Sequence, residues 1–275
     1  MSTTFLYGAN VAANGIRQHY LRYGGPDGAH RERTAIILIP GITSPAITWG
    51  FVGEVLGRKF DTYVIDVRGR GLSEASPTLD YSVAAQGDDV VAFAVALGLK
   101  RFALVGHSMG ARIAARAAMH KPAGLASVVL VDPPVSGPGR REYPGKTPWY
   151  VDSMALAREG TDAEAMRAFC PTWTEHDLQL RAEWLHTCDE RAVLESYKEF
   201  HTEDFHADAA RLHVPSLLIT AERGDVVRDE DVAELQDATP SMLHVRVPDA
   251  GHMIPWDNAA GFYAAFGDFL GAPLV

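Results

Sequence analysis

A serine between two glycines, a histidine far downstream and two aspartates between them are the residues of this chain best suited to chemistry. Ser108 stands in Gly106-His107-Ser108-Met109-Gly110, with the apolar run Phe102 to Val105 before it and an alanine-rich run from Ala111 to Met119 after it. A serine hydroxyl is a weak nucleophile at neutral pH, so it needs an adjacent base, and that base needs a carboxylate to orient it. His252, in Asp249-Ala250-Gly251-His252-Met253, follows an apolar run ending at Val247 and is the candidate base. Two aspartates compete for the third role. Asp132 ends the run Ser127 to Val131, and Asp225 lies in Ala221-Glu222-Arg223-Gly224-Asp225 after a later run. Both fall between Ser108 and His252, so chain order leaves both open, and position alone favours Asp225. The set points to acyl transfer: attack by Ser108 on a carbonyl carbon, then hydrolysis of the acyl-serine.

Such a reaction also needs two backbone N–H donors fixed where negative charge develops on the carbonyl oxygen. Met109, opening the helix after the serine, and Ile42, just after Pro40-Gly41, are the candidates. Gly41 lets the backbone come close. The segment Asp66-Val67-Arg68-Gly69-Arg70-Gly71-Leu72-Ser73 reads as a structural turn in which Asp66 or Arg68 holds neighbouring loops.

The elements that must position these residues follow from hydrophobic pattern. Phe5 to Asn10 and Arg17 to Tyr23 read as strands joined across Ala12-Ala13-Asn14-Gly15, where Asn-Gly signals a hairpin. Ala35 to Ile39 is apolar without alternation, as suits a strand covered on both faces. Helical spacing at Trp49, Val52, Val55 and Leu56, a strand at Thr62 to Val67, and a helix from about Ser82 to Leu97, with Asp80 available as its cap, precede the serine. After the strand Ser127 to Val131 the alternation stops. From Val135 to about Ala210 there are prolines and helix-like runs around Asp152 to Glu159, Asp162 to Phe169, Glu175 to Leu185 and Ala192 to His201. The alternation resumes with strands at Ser216 to Thr220 and Leu243 to Val247, and helices from about Asp229 to Gln236 and Ala259 to Leu270. The expected organisation is an α/β core from residues 1–134 and 211–275, with a mainly parallel sheet flanked by helices, and a helical cap over 135–210.

Composition sets limits on partners. The 275 residues are 47% hydrophobic and 22% charged, enough for one large core. A formal net charge of -10 argues against nucleic acid or an anionic membrane surface, and requires a locally basic pocket for any anionic substrate. Cys170 and Cys188 read as reduced structural thiols rather than a metal set. The start, Met1 to Gly8, lacks a basic segment followed by a long apolar one, so a cytoplasmic protein is expected.

The glycine-flanked serine between strand and helix is similar to the nucleophile elbow of the α/β-hydrolases. Longer stretches narrow this: Ala13 through Tyr20, Pro40 through Gly50, Val131 through Arg141, Arg181 through Cys188 and Gly251 through Trp256 resemble the N-formylmaleamate deformylases of nicotinate degradation, and the likeness runs almost end to end. That resemblance implies hydrolysis of a small anionic amide, N-formylmaleamate, to maleamate and formate, with no metal or organic cofactor. It also implies Asp132 rather than Asp225 as the acid beside Ser108 and His252. A cation should then hold the substrate carboxylate. Arg140, Arg141, Lys146, Arg181 and His186 are the candidates, with Trp149, Tyr150, Trp173 and Trp184 available to wall the pocket. The elbow alone also fits an esterase, a hydrolase of carbon-carbon bonds, or a non-catalytic receptor on the same fold. Oligomeric state is not legible.

Overall fold

The computed structural model describes residues 3–24 and 34–274. Eight strands form one sheet: β1 (Phe5–Ala13), β2 (Ile16–Tyr23), β3 (Ala35–Ile39), β4 (Thr62–Ile65), β5 (Phe102–His107), β6 (Leu125–Val131), β7 (Ser216–Ala221) and β8 (Leu243–Val247), in the order β1-β2-β4-β3-β5-β6-β7-β8. The first two pairings are antiparallel and the remaining five parallel. Asn14 and Gly15 both take positive φ, 48° and 74°, the turn that an Asn-Gly pair favours and that matches strand twist.

The helices are α1 (Gly50–Gly57), α2 (Val83–Ala96), α3 (Met109–Met119), α4 (Thr147–Glu159), α5 (Ala163–Met166), α6 (Glu175–Trp184), α7 (Glu190–Thr202), α8 (Phe205–Ala209), α9 (Asp229–Ala238), α10 (Ile254–Asp257) and α11 (Ala259–Ala265). Because side chains alternate across a strand, the unbroken apolar run of β3 feeds two cores. Ile36 and Leu38 pack on the face of α1 and α11, and Ile37 and Ile39 on the face of α2, α3 and α9. Helices α4 to α8 all lie between β6 and β7, so the helical insertion expected after Asp132 is present.

Some local expectations change. Ser82, not Asp80, caps α2, accepting from Ala85 N; Asp80 accepts from Ser82 N one step earlier. The final helix stops at Ala265, five residues early, because Gly267 turns the chain at φ 47°. The short α10 was not foreseen. Cys170 and Cys188 are buried free thiols. Among the described residues no helix is long and apolar enough to cross a membrane; of the stretch read for a leader, Met1 and Ser2 lie outside them.

Candidate active site

Strand β5 runs directly into α3, and Ser108 takes the turn between them at φ 55°, ψ -119°. A side chain with this backbone is strained, and it persists only where the surroundings over-determine it. Here they do. A Cβ on Gly106 would lie 2.1 Å from Gly110 O, and one on Gly110 would lie 2.0 Å from Ile39 O, so helix and strand meet at a distance only glycine permits. Ser108 N donates to Val131 O at 2.8 Å, tying the turn to β6.

At the end of β6, Asp132 also has a positive φ of 45°. Its N–H donates to Ile219 O, which turns the fully buried carboxylate across the ends of the strands. Asp132 Oδ1 accepts from Ala221 N at 3.2 Å, and Oδ2 lies 2.6 Å from His252 Nδ1. The other ring nitrogen, Nε2, lies 2.9 Å from Ser108 Oγ. Since the carboxylate can only accept, Nδ1 carries the proton and Nε2 is free to receive one from the serine. Asp225 is turned elsewhere, with its mostly exposed carboxylate 2.7 Å from Arg228 Nε.

The loop carrying His252 is held by two contacts. Gly251 N donates to Asp257 Oδ2, and His107 Nε2 donates to the His252 carbonyl at 2.9 Å. Burial lowers the His107 pKa to about 3, so this imidazole stays neutral, with Nε2 protonated and a bare Nδ1 that has no partner among the described residues. Gly41 lies against that ring: a Cβ there would be 3.2 Å from His107 Nδ1 and 3.6 Å from Ser108 Cβ. The segment after β3 is thereby brought close to the serine, and among the described residues neither Ile42 N–H nor Met109 N–H, the latter at the first position of α3, has an acceptor. Asp66 helps to set this segment by accepting from Ala46 N at 2.6 Å and Leu72 N at 3.0 Å, while Arg68 pairs with Asp89, in keeping with the structural reading of that turn.

Ser108 and His252 open onto a cavity of about 580 Å³. The helical insertion supplies Tyr143, Trp149, Tyr150 and Arg181 to its wall. Arg181 is 3% exposed, and its Nε and Nη2 have no partner among the described residues. Its Nη1 makes one long contact to Thr43 O at 3.5 Å, and its guanidinium lies over the rings of Trp149 and Trp173, with centroids at 5.0 and 5.8 Å. The other cations proposed for this pocket are placed differently. Arg140 pairs with Glu234, and Arg141 is spent on Asp231 and the carbonyls of Asp225 and Val226. Lys146 reaches the cavity rim with an exposed side chain beside Glu142. His186 is exposed on a short helical turn and does not line the cavity. Trp173 meets the Arg181 guanidinium and stacks on Trp256 at 4.5 Å, and neither it nor Trp184 lines the cavity.

Tyr143 went unnoticed in sequence, although it lies only two residues after Arg141. Its ring faces His252 edge-on at 6.4 Å, and burial holds its hydroxyl well above the usual phenol range, so it remains a donor.

The α/β hydrolase fold family matches residues 34–259 of the chain. The N-formylmaleamate deformylase of Pseudomonas putida (strain KT2440) is 57% identical over 273 residues, spanning 99% of this chain and 100% of that one. This is an α/β-hydrolase of the N-formylmaleamate deformylase family. The crystal structure of a variant of the N-formylmaleamic acid deformylase from Pseudomonas putida S16 superposes on the hydrolase with a TM-score of 0.89 at 49% identity, covering 95% of this chain and all of that one. E-2-(acetamidomethylene)succinate hydrolase, at 22% identity and a TM-score of 0.77, shares the fold.

Proposed function

We propose that this hydrolase cleaves the formyl C–N bond of N-formylmaleamate, giving maleamate and formate through a formyl-serine on Ser108. The observation that carries the reading is the pairing, within one cavity, of the Ser108–His252–Asp132 hydrogen-bonded line with a buried arginine whose Nε and Nη2 have no acceptor among the described residues. The 57% identity to the P. putida enzyme supports the choice of substrate.

In this mechanism the substrate carboxylate takes the two free N–H groups of Arg181, the bidentate geometry that guanidinium favours. The formyl carbon then lies over Ser108 Oγ. His252 Nε2 takes the hydroxyl proton as Oγ bonds to the formyl carbon, and the carbonyl electrons move onto oxygen. The N–H groups of Ile42 and Met109 receive that oxyanion, a pair whose members are each worth about 3 kcal/mol in such sites. Asp132 stabilises the imidazolium without taking its proton. As the tetrahedral adduct collapses, the C–N bond breaks and His252 protonates the departing maleamate nitrogen. That nitrogen is also bonded to the maleyl carbonyl, so it leaves more readily than an ordinary amine. Water, deprotonated by His252, then attacks the formyl ester and releases formate. The segment 135–210 acts as a cap that dries this chamber and carries the carboxylate anchor.

The test is formate release from N-formylmaleamate by purified protein, with p-nitrophenyl acetate as a general ester control. Stoichiometric formate and maleamate, both lost in Ser108→Ala, are expected. Turnover of the ester by Ser108 with no formate from the amide would overturn the reading.

A further inference from the structure

One buried cation near the site has no part in the chemistry just described. Arg70 is 1% exposed, and among the described residues no carboxylate pairs with it. Its guanidinium is satisfied by neutral groups only. Nε donates to Ile42 O at 3.1 Å, Nη1 to Arg68 O at 3.0 Å, and Nη2 to Ala192 O at 3.0 Å and Ser196 Oγ at 2.9 Å, with Met109 Sδ at 3.5 Å. Its neighbour Arg68, in the same loop, is balanced in the usual way by Asp89. Burying a charge without a counter-ion is costly, and neutral packing would normally be more stable.

The placement gives the cost a use. Two of the five contacts are to Ile42 and Met109, the residues whose N–H groups the proposed mechanism assigns to the oxyanion. Two more are to α7 of the helical insertion. The loop itself is pressed on that helix: Asp189 N donates to Gly69 O at 2.8 Å, and a Cβ on Gly69 would lie 2.5 Å from Ala192 Cβ.

We propose that Arg70 is a positioning residue which, from behind, holds Ile42 and Met109 as a donor pair, adds a fixed positive field to the oxyanion position, and couples both to the docking of α7. In a dry, low-dielectric interior such a charge acts on a developing oxyanion with little screening and needs no reorganisation during reaction. Burial lowers the Arg70 pKa only to about 10, so the guanidinium is charged throughout the neutral range.

The inference rests on Ser108 reacting through an anionic tetrahedral adduct, not on which amide is the substrate, so its test uses other probes. In the full-length protein, Arg70→Met and Arg70→Lys are compared with wild type for kcat/KM on p-nitrophenyl acetate. The same variants are compared for inhibition by phenylboronic acid, which forms a tetrahedral anion on serine, and by neutral, planar benzamide. Arg70→Met should lose about 10²-fold in kcat/KM and in boronate affinity, with benzamide affinity within about threefold of wild type. Arg70→Lys should recover at least about tenfold of the loss, which a purely structural role would not produce. Equal weakening of boronate and benzamide, or wild-type rates in Arg70→Met, overturns the proposal. Should Arg70→Met fail to fold, Arg70→Lys decides it: its boronate affinity must fall by more than its benzamide affinity. If N-formylmaleamate is not turned over while these ratios hold, the substrate assignment fails and this inference stands.

Discussion

His252 Nδ1 lies 2.6 Å from Asp132 Oδ2, although Asp132 ends a strand two places across the sheet from β8 and 120 residues earlier in the chain. The carboxylate that the next loop offers, Asp225, instead sits 2.7 Å from Arg228. Replacing Asp132 by Asn removes the acceptor that fixes the imidazole tautomer, so kcat should fall by roughly 10³–10⁴-fold with the fold intact. Asp225→Asn loses only a surface ion pair and should stay within about threefold of wild type. Steady-state rates on N-formylmaleamate check both, and a larger loss in Asp225→Asn would reverse the assignment.

Arg181 should govern affinity for charged substrates. Removing a charge-assisted hydrogen bond costs about 1.5–3 kcal/mol, so Arg181→Leu should lose roughly ten- to a hundredfold in kcat/KM for N-formylmaleamate. Turnover of p-nitrophenyl acetate, which has no carboxylate, should change by less than about threefold. A parallel loss on both substrates would mean that Arg181 supports the wall of the cavity rather than the anion.

The order of elements, Ser108 and His252 are legible in sequence because each depends on a local pattern: apolar runs, glycines at a turn, a histidine after the last strand. The acid is not legible in this way. Both aspartates follow strands, and what separates them is a left-handed backbone at Asp132, φ 45°, together with the bond from its own N–H to β7. Periodicity carries neither. The insertion shows a similar limit. Its helices can be read from spacing, but which face meets the cavity depends on how they dock. His186 falls beyond the end of α6, on the short 3-10 turn Leu185–Thr187, and is exposed away from the cavity lining. Arg70 and Tyr143 act through contacts 28 to 126 positions away in sequence or across the insertion, where no local signal reaches.

Gly110 should be among the least tolerant positions in the chain. A Cβ there falls 2.0 Å from Ile39 O and 2.6 Å from Pro40 O, both backbone atoms that cannot swing aside. Gly110→Ala should therefore cost more than about 3 kcal/mol or prevent folding. Gly98 is the control. Its φ is +63°, but a Cβ meets nothing within 4 Å, so Gly98→Ala should cost only the backbone term of about 1–2 kcal/mol. Urea midpoints of the two variants should be clearly separated, and similar values would refute the close-approach explanation of the elbow.

Glu199 should make the protein more stable in acid than its neighbours alone would. This α7 side chain accepts from Val83 N, at the start of α2, at 2.6 Å. A helix N-terminus favours the carboxylate. Desolvation outweighs that bond, and with Glu203 nearby it pushes the Glu199 pKa up to about 6, against the lowering effects of Arg112 and Arg116. A carboxyl whose folded value lies above its unfolded value contributes stability that is fully present below the unfolded pKa, about 4.5, and is lost as pH rises through about 6. Above that window wild type carries the cost of an ionised, half-buried group, which solvent screening holds to about 1 kcal/mol at most. Glu199→Gln keeps an oxygen for Val83 N and never ionises. Its Tm should match wild type near pH 4.5 and exceed it by up to about 2 °C at pH 8. Thermal melts across this range provide the check, and a gain that is constant with pH would place the effect in packing rather than in titration.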